Sequence, residues 1–372
     1  MFNILENNKH KIIKSENYNL LFNKQTGYTA RFGKTEDDDP QYCPFGPEIL
    51  DIEISDVVDD KSESTEYLLI TDGGCSGAKF CGNMCYKHNV GKYTRHMSLK
   101  AIKKILDVLP QYDGKHILQQ VALGICSADS HPELFKICSE FRNRGICPNI
   151  TTNGIGFDDK LAKKYVENFH AIAVSVNTYN KEYAYNTVNL LIKYGCEQTN
   201  VHYVLGNKSF DTGEIFGIID DVVNDPRLSQ LNALVLLAFK DKANTGVDTP
   251  ITDATKYKKI LDYAAKCGVR LGLDSCSGPK YLQAIRNDSD YKQKSECVET
   301  CCAGRFSAYI NVFGFYFPCS FLENVNSWKT GISVLGCNYF YKEIWNSDRV
   351  LEWRKYTIEC GEQRCPCNYF KN

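Results

Sequence analysis

Apolar runs alternate with amphipathic segments through the middle of the chain. In the amphipathic segments the apolar residues recur every three or four positions, which is the period of one helix face. The pattern predicts strands at 67–70, 116–124, 147–151, 170–176, 200–205, 231–239 and 269–273. It predicts helices after Ser98, at 132–144, 158–168 and 181–194, after Asp211, and before Gly268. Such alternation gives parallel strands joined by right-handed crossovers, so we expect an α/β fold.

A parallel sheet of this kind closes either as a doubly wound sheet or as a full or partial TIM-like barrel. In both architectures, ligands bind at the carboxyl ends of the strands. The polar N-terminal residues contain one predicted β-hairpin, at 18–22 and 28–32, around a glycine-containing loop. The predicted parts are an N-terminal hairpin segment (1–60), the β-α array (61–275) and a small α+β domain (276–372).

Composition excludes several classes of protein. Forty-four basic residues balance forty-five acidic ones, which gives no electrostatic signature of nucleic-acid binding. The longest apolar run, 233–239, is far shorter than the roughly 20 residues of a membrane span. The first residues contain no apolar signal-peptide core, so we expect a cytoplasmic protein. Eighteen cysteines in such a chain point to metal binding, catalysis or buried thiols rather than to disulfides.

Three cysteines, Cys75, Cys81 and Cys85, share a glycine-rich loop directly after the first predicted strand. Three thiolates can bind three irons of a [4Fe–4S] cluster and leave the fourth iron open to a substrate or cofactor. A structural zinc site completed by His88 is an alternative, since zinc accepts three cysteines and one histidine. Three buried thiols without a metal are a further alternative.

The order of these features resembles the radical SAM superfamily. Its members carry three cysteines after the first strand of a partial (β/α)₆ barrel, very often followed by an aromatic residue such as Tyr86. Residues 149–154, Asn-Ile-Thr-Thr-Asn-Gly, look like the Thr-Asn-Gly step of the family. The cysteine spacing departs from the usual C-x₃-C-x₂-C, because it is C-x₅-C-x₃-C here. The resemblance implies a partial (β/α)₆ TIM-like barrel over 66–275.

The resemblance implies a specific chemistry. The three loop cysteines would bind a [4Fe–4S] cluster whose open iron chelates S-adenosylmethionine (SAM). Reductive cleavage of SAM would give a 5′-deoxyadenosyl radical that abstracts a substrate hydrogen. The implied SAM-binding residues are Tyr86, Ser127, Thr152, Asn153 and Ser175.

Each of these polar residues could instead be an ordinary turn or strand-end residue. The acidic residue that binds the SAM amino group in the family is missing, and Ser127 stands near its place. Either Ser127 or Asp129 substitutes for it, or iron and backbone contacts suffice.

A second cysteine group lies near the C-terminus. Cys301 precedes Gly314 by twelve intervening residues, and four more lead to Cys319. This pattern looks like the SPASM and twitch extensions of radical SAM enzymes, in which a hairpin brings thiolates to an auxiliary cluster. The implied ligands are Cys301, Cys319, Cys360 and Cys365, with Cys367 as an alternative for the last.

The sequence favours one auxiliary [4Fe–4S] cluster, as in a twitch domain. The remaining cysteines in this part of the chain, Cys276, Cys297, Cys302 and Cys337, leave room for a second cluster. A closed zinc ribbon is the alternative, since it uses similar hairpins.

The predicted function is that of a radical SAM oxidoreductase that modifies a ribosomally made peptide or protein. A flavodoxin or ferredoxin would supply the electron. One alternative is a radical SAM enzyme acting on a small molecule or nucleotide, and another is a non-catalytic zinc protein. No residue stands out as the catalytic acid, base or hydrogen-atom donor, and a peptide substrate rests on family analogy alone.

Overall fold

The computed structural model describes residues 2–35, 38–56, 95–125, 128, 130–242, 246–360 and 365. The N-terminal and central strands are β1 (Asn3–Glu6), β2 (His10–Lys14), β3 (Asn19–Asn23), β4 (Thr29–Phe32), β5 (Ile49–Glu53), β6 (Gln111–Tyr112), β7 (Lys115–His116), β8 (Gln120–Gly124), β9 (Cys147–Thr152), β10 (Ala171–Val176), β11 (Thr199–Leu205), β12 (Ala233–Ala238) and β13 (Leu271–Leu273). The C-terminal strands are β14 (Ser307–Ile310), β15 (Phe315–Phe317) and β16 (Ile332–Ser333).

The helices lie mainly between the central strands. They are α1 (Leu99–Val108), α2 (Leu134–Arg142), α3 (Asp159–Asn168), α4 (Lys181–Lys193), α5 (Asn207–Asp211), α6 (Glu214–Asn224), α7 (Ala254–Cys267), α8 (Gly278–Ile285), α9 (Tyr291–Ser295) and α10 (Asp348–Cys360). Short 3₁₀ turns occur at Pro226–Leu228, Ser320–Leu322 and Asn326–Trp328, and a π-helical turn at Tyr341–Trp345. None of the helices in the described ranges has both the length and the apolar character needed to cross a membrane.

The N-terminal strands β1 to β4 form a four-stranded antiparallel sheet in chain order. One face of this sheet is apolar, and Ile13, Leu20 and Phe22 are fully buried. The predicted hairpin is confirmed, since β3 pairs with β4 across a turn capped by the Asn23 side chain. The hairpin of β1 and β2 was not predicted, because the exposed Leu5 breaks the alternation of apolar and polar positions.

A ten-stranded sheet forms the centre of the molecule, in the order β13-β12-β11-β10-β9-β8-β5-β14-β15-β16. The strands from β5 to β13 are parallel, and spatial neighbours follow one another along the chain. Helices α2, α3, α4, α6 and α7 connect successive strands of this array. The arrangement confirms the predicted α/β class with a partial TIM-like barrel.

The two faces of the parallel strands carry different side chains. On β11, Val201, Tyr203 and Leu205 are buried against the helix layer, whereas His202 and Val204 lie on the other face and are only partly buried. Most of the large apolar residues therefore pack outward against helices. The inward face keeps smaller and polar side chains, which leaves space inside the curved sheet.

Most central elements begin and end within a few residues of the predicted positions. One local prediction was wrong: Asp211 does not cap the following helix. Asp211 ends α5, and α6 begins after Gly213, whose φ of 78° breaks the helical path between the two.

The predicted first strand, 67–70, lies outside the described residues. The position beside β8 is taken by β5, and Leu50 pairs with Val121 in the parallel register. The strand was missed because Asp51 and Glu53 give it the composition of a polar surface segment. Both carboxylates face inward, where they line an internal cavity.

The C-terminal segment extends the same sheet. The predicted hairpin is confirmed as β14 and β15, and β14 also pairs in parallel with β5. Helix α10 then closes on the hairpin: the Trp353 indole donates to the Ala303 carbonyl at 2.9 Å, and Arg354 Nε donates to the Gly304 carbonyl at 2.8 Å. The pairing of β14 with β5 therefore joins the predicted segments 1–60 and 276–372 in one sheet. The domain boundaries at 60 and 275 remain a prediction.

The turn after β9 packs its backbone directly against α4. Gly154 has a φ of +79°, and a Cβ placed on it would lie 2.8 Å from the Ala184 Cα. The Thr187 hydroxyl donates to the Gly154 carbonyl at 2.8 Å. The Asn180 amide donates to the Asn153 carbonyl at 2.9 Å and holds the turn on the same helix. Glycine is required here both for conformation and for space.

We expect Gly154→Ala to lower the free energy of unfolding by about 2–4 kcal/mol in urea titrations. The left-handed conformation costs about 1 kcal/mol in an alanine, and overpacking against the helix backbone adds about 1–3 kcal/mol. Gly156→Ala is the matched control, because Gly156 also has a φ of +79° but a Cβ there would meet nothing within 4 Å. Equal losses in the two variants would contradict a close-packing role for Gly154.

Candidate active site

A cavity of about 900 Å³ lies at the carboxyl ends of the parallel strands. Residues at or just after the ends of β5 and β8 to β13 line it, and the C-terminal segment completes its wall. The volume is near the upper end of the range for small-molecule sites. The sequence-based expectation that ligands bind at this edge of the sheet therefore corresponds to a real cavity.

Three of the predicted SAM-binding residues, Thr152, Asn153 and Ser175, line the cavity together. The side-chain oxygens of Thr152 and Asn153 already accept backbone hydrogen bonds within the turn, at 3.3 and 3.0 Å. In the described part of the chain, the Ser175 hydroxyl makes no hydrogen bond. Ser175 is thus the most available of the three for a ligand, while Thr152 shapes the turn.

Asn180 was not recognised from the sequence, although it fixes this part of the site. It is buried, and its amide nitrogen donates to the carbonyls of Asn153 and Ser175 at 2.9 and 2.8 Å. Its amide oxygen accepts from the Asn177 backbone at 2.8 Å. A single side chain therefore connects the ends of β9 and β10. An asparagine just before a helix gives no sequence signal for this bridging role.

Several predicted site residues lie outside the described residues: Cys75, Cys81, Cys85, Tyr86, Ser127 and Cys367. The segment 57–94, which contains the first four, leaves and rejoins the described chain beside the cavity. Ser55 lines the cavity and pairs with His96 in a β-bridge, and their side chains lie 3.0 Å apart. The described residues on the two sides of 57–94 are therefore paired through Ser55 and His96.

The predicted C-terminal cysteines divide into two sets. Cys301, Cys319 and Cys365 line the cavity, and so does Cys276, which was not among the preferred ligands. Burial raises the pKa of Cys301 to about 12, and Cys365 and Cys319 are near enough to add to the rise. A hydrogen bond with Cys365, followed by burial, raises the pKa of Cys276 well above its ordinary value. These four cysteines therefore line one cavity together with Cys302.

Cys360 is buried at the end of α10 and is not part of the cavity wall. Cys302 borders the cavity, but its thiol donates to Glu299 Oε2 at 3.0 Å. Cys337 donates to the Val334 carbonyl at 3.2 Å, and Cys297 is exposed. Within the described ranges, no three His, Cys, Asp or Glu side chains are placed to hold one metal ion.

Three solved structures share this architecture. SuiB from Streptococcus suis aligns with a TM-score of 0.65 and 11% identity over 98% of this chain and 96% of its own. Native anSMEcpe with bound AdoMet aligns with a TM-score of 0.54 and 14% identity, over 83% of each chain. A further anSMEcpe structure, with bound AdoMet and the Cp18Cys peptide, gives 0.57 and 15%, over 88% of this chain and 91% of its own. Both proteins are radical SAM enzymes.

The chain has the radical SAM fold. The sequence itself matches no family model and no curated protein. At this level of identity the likeness establishes the architecture and assigns no role to individual residues.

Asp51 is an acidic residue of this radical SAM fold that the sequence did not single out. It lies on β5 and faces the cavity, and among the described residues no side chain or backbone group hydrogen-bonds to its carboxyl. The carboxyl is exposed to the cavity, where the surrounding protein replaces part of the water that would otherwise solvate it. This loss of solvation raises the pKa of Asp51 to about 6.

His202 also faces the cavity, from the middle of β11. Burial lowers the pKa of His202 to about 4, so its imidazole is neutral at physiological pH. Its Nδ1 lies 3.5 Å from the Thr151 hydroxyl on the neighbouring inward-facing position. The inner wall thus offers an uncharged imidazole and a carboxyl that titrates near pH 6.

Lys240 supplies a positive charge to the same cavity. Its side chain is only 6% exposed, its ammonium lies 4.2 Å from the Phe321 ring centroid, and Asp274 Oδ2 is 3.9 Å away. Burial alone would lower the pKa of Lys240, but the nearby Cys276 and Asp274 more than offset this. Lys240 is therefore charged, next to the wall that carries the thiols.

Asp51→Asn should stabilise the unliganded protein by about 1 kcal/mol at pH 8 and have little effect near pH 4. A pKa of about 6 in the folded state, against an ordinary value of 3.8, means that folding disfavours the carboxylate. The wild type therefore loses stability as the pH rises from about 4 to about 6. The full shift corresponds to about 3 kcal/mol, reduced here because water enters the cavity.

Urea unfolding at the two pH values tests this expectation. Asp253→Asn is the control with the opposite sign, because a hydrogen bond from Thr255 lowers the pKa of Asp253, the N-cap of α7. Asparagine at 253 should give no gain at pH 8. A loss of stability in Asp51→Asn at pH 8 would show that the Asp51 carboxylate is paired in the folded protein.

Proposed function

We propose that this chain is a radical SAM enzyme with one auxiliary iron–sulfur cluster, acting on a ribosomally made peptide or protein. The observation that carries the proposal is the cavity at the strand ends of a radical SAM fold. In the sequence, Cys75, Cys81 and Cys85 lie between Ser55, which lines this cavity, and its β-bridge partner His96. The thiols of Cys276, Cys301, Cys319 and Cys365 are among the groups that line the cavity wall. Oxygen-sensitive clusters require a reducing compartment, so we propose a cytoplasmic location.

The donor chemistry fits the groups that this fold uses. Cys75, Cys81 and Cys85 would hold a [4Fe–4S] cluster with one open iron, and Ser175 and Asn153 would contact SAM. When bound and reduced by a flavodoxin or ferredoxin, the cluster and SAM supply a 5′-deoxyadenosyl radical for hydrogen abstraction. The protein orients the substrate in the cavity and keeps bulk water from the reacting atoms.

For the auxiliary cluster we propose the ligands Cys276, Cys301, Cys319 and Cys365. All four thiols face one cavity, and the thiols of Cys276 and Cys365 are already in contact. This set replaces Cys360 of the sequence-based set with Cys276. A [4Fe–4S] cluster holds its thiolates farther apart than a single zinc ion does, so looser grouping of the thiols suits an iron–sulfur cluster.

Asp51 is the residue we propose as proton acceptor. Its carboxyl has no hydrogen-bond partner within the described ranges, and a pKa of about 6 leaves it ionised yet basic at neutral pH. A base with a pKa near the working pH transfers protons efficiently. If the substrate carbon loses its hydrogen atom to the 5′-deoxyadenosyl radical and an electron to the oxidised auxiliary cluster, the adjoining N–H, O–H or S–H group loses one proton, and the Asp51 carboxylate would accept it.

The peptide substrate is supported by anSMEcpe, whose structure was solved with AdoMet and a peptide. The cavity is large enough for SAM together with a side chain of a substrate. Activity on a small molecule without any peptide would favour the other substrate class instead.

Replacing Cys75, Cys81 and Cys85 with alanine should abolish reductive cleavage of SAM while leaving the auxiliary iron bound. Anaerobic purification with iron, sulfide and zinc analysis, followed by assay of 5′-deoxyadenosine, measures both properties. The matched control is alanine at Cys138, Cys196 and Cys267, which are distant from the cavity and should leave SAM cleavage intact. Retained cleavage in the first variant, or colourless protein with stoichiometric zinc, would refute the proposal.

In the background that lacks the first three cysteines, Cys276→Ala should lower the iron and sulfide content at least severalfold. Cys360→Ala should leave that content near the parent value, because Cys360 is not part of the cavity wall. Iron analysis and EPR of the reduced proteins measure the difference. Loss of iron and sulfide in Cys360→Ala but not in Cys276→Ala would instead support the sequence-based ligand set, which contains Cys360.

A further inference from the structure

Lys240 lies just beyond β12 and reaches into the cavity beside the cysteine wall. It is 8% exposed, and Phe321 covers its ammonium from one side. The groups near enough to act on its charge are Cys276, Asp274, Cys365 and Cys319. No sequence pattern singles out a lysine at this position.

The ammonium of Lys240 has unused hydrogen-bonding capacity. Within the described ranges it donates no hydrogen bond, and the 3.9 Å distance to Asp274 Oδ2 is too long for one. Buried ammonium groups are normally paired and hydrogen-bonded, because removing them from water is expensive. Lys240 therefore forms a long ion pair with Asp274 and keeps the capacity to interact with a further anion.

Asp274 is not that anion, because other groups already occupy its carboxylate. Asp274 Oδ1 accepts from the Ser277 hydroxyl at 2.6 Å and from the Ser277 backbone at 2.9 Å. The Ala238 backbone N–H lies 3.3 Å from both carboxylate oxygens. These bonds fix Asp274 between β12 and the start of α8, and Lys240 lines the same cavity as the thiols.

We propose that Lys240 compensates the negative charge of the auxiliary iron–sulfur cluster bound by the cysteine wall and raises its reduction potential. This inference rests on the auxiliary cluster of the proposed function. Four thiolates give such a cluster a net negative charge, and reduction adds one more. A nearby buried cation stabilises the reduced form more than the oxidised form, because the extra electron increases the attraction. Lys240 is a positioning residue in this role and makes no covalent change.

The test uses full-length protein, reconstituted anaerobically with iron and sulfide, in the Cys75, Cys81 and Cys85 to alanine background. A potentiometric titration followed by EPR then reports the auxiliary cluster alone. Lys240→Met keeps the length of the side chain and removes the charge. We expect the ratio of reduced to oxidised cluster at a fixed potential to fall at least tenfold, which is about 59 mV for one electron. Lys240→Arg should stay close to the parent.

Lys193→Met is the control, because Lys193 lies on α4, pairs with Asp159 at 2.6 Å and does not line the cavity. It should shift the ratio by less than half as much as Lys240→Met. An unchanged potential in Lys240→Met, with iron content equal to the parent, overturns the inference and leaves the proposed function standing. The same result combined with loss of binding of a carboxylate substrate would assign Lys240 to substrate recognition.

Loss of the cluster in Lys240→Met also gives an answer. If Lys240→Met and Lys240→Gln lose iron, keep a native circular dichroism spectrum, and Lys240→Arg retains iron, the charge is required for the cluster. If Lys240→Arg also loses iron, the role of Lys240 is steric and the inference is wrong. Absence of any iron–sulfur cluster in the parent would instead refute the auxiliary cluster itself.

Discussion

The architecture depends on one constraint, the burial of only one face of the parallel sheet. Val201, Tyr203 and Leu205 fill the outer face of β11 and pack under helices, while His202 and Val204 point to the inside. Large apolar side chains on the inner face would have closed the barrel with a solid core. Small and polar ones leave a cavity, and the strand ends then meet around it.

The C-terminal segment makes this cavity a composite of two parts of the chain. Glu53, at the end of β5, accepts from the Val312 backbone at 3.1 Å and from the Tyr309 hydroxyl at 3.4 Å. Together with the pairing of β14 to β5, these bonds fix the hairpin of β14 and β15, which Cys301 and Cys319 flank, against the first strand of the array. The wall that carries Cys301 and Cys319 is thus held by the strand that also presents Asp51.

Periodicity in the sequence was sufficient for most of the β-α array, because burial of one helix face and of successive strands is a local pattern. It failed for β5, where Asp51 and Glu53 suggest a surface although they face an internal cavity. Cys276 was not selected as a ligand, because it is 25 positions before Cys301 and no short spacing motif connects them. Lys240 and Asn180 owe their roles to residues brought close only by folding, so no local signal exists for them.

The two buried charges of the cavity act on stability in opposite directions. The Asp51 carboxylate, whose pKa is raised by loss of solvation, opposes folding, whereas the neighbours of Lys240 more than offset the burial of its ammonium. A destabilising charge such as that of Asp51 persists where an occupant compensates it, because binding then recovers the energy that desolvation removed. The ligands of the proposed auxiliary cluster come from residues 276 to 365, so binding of that cluster and the ordering of this wall would be thermodynamically coupled. Stability and function are therefore set at the same place, on the inner face of the sheet.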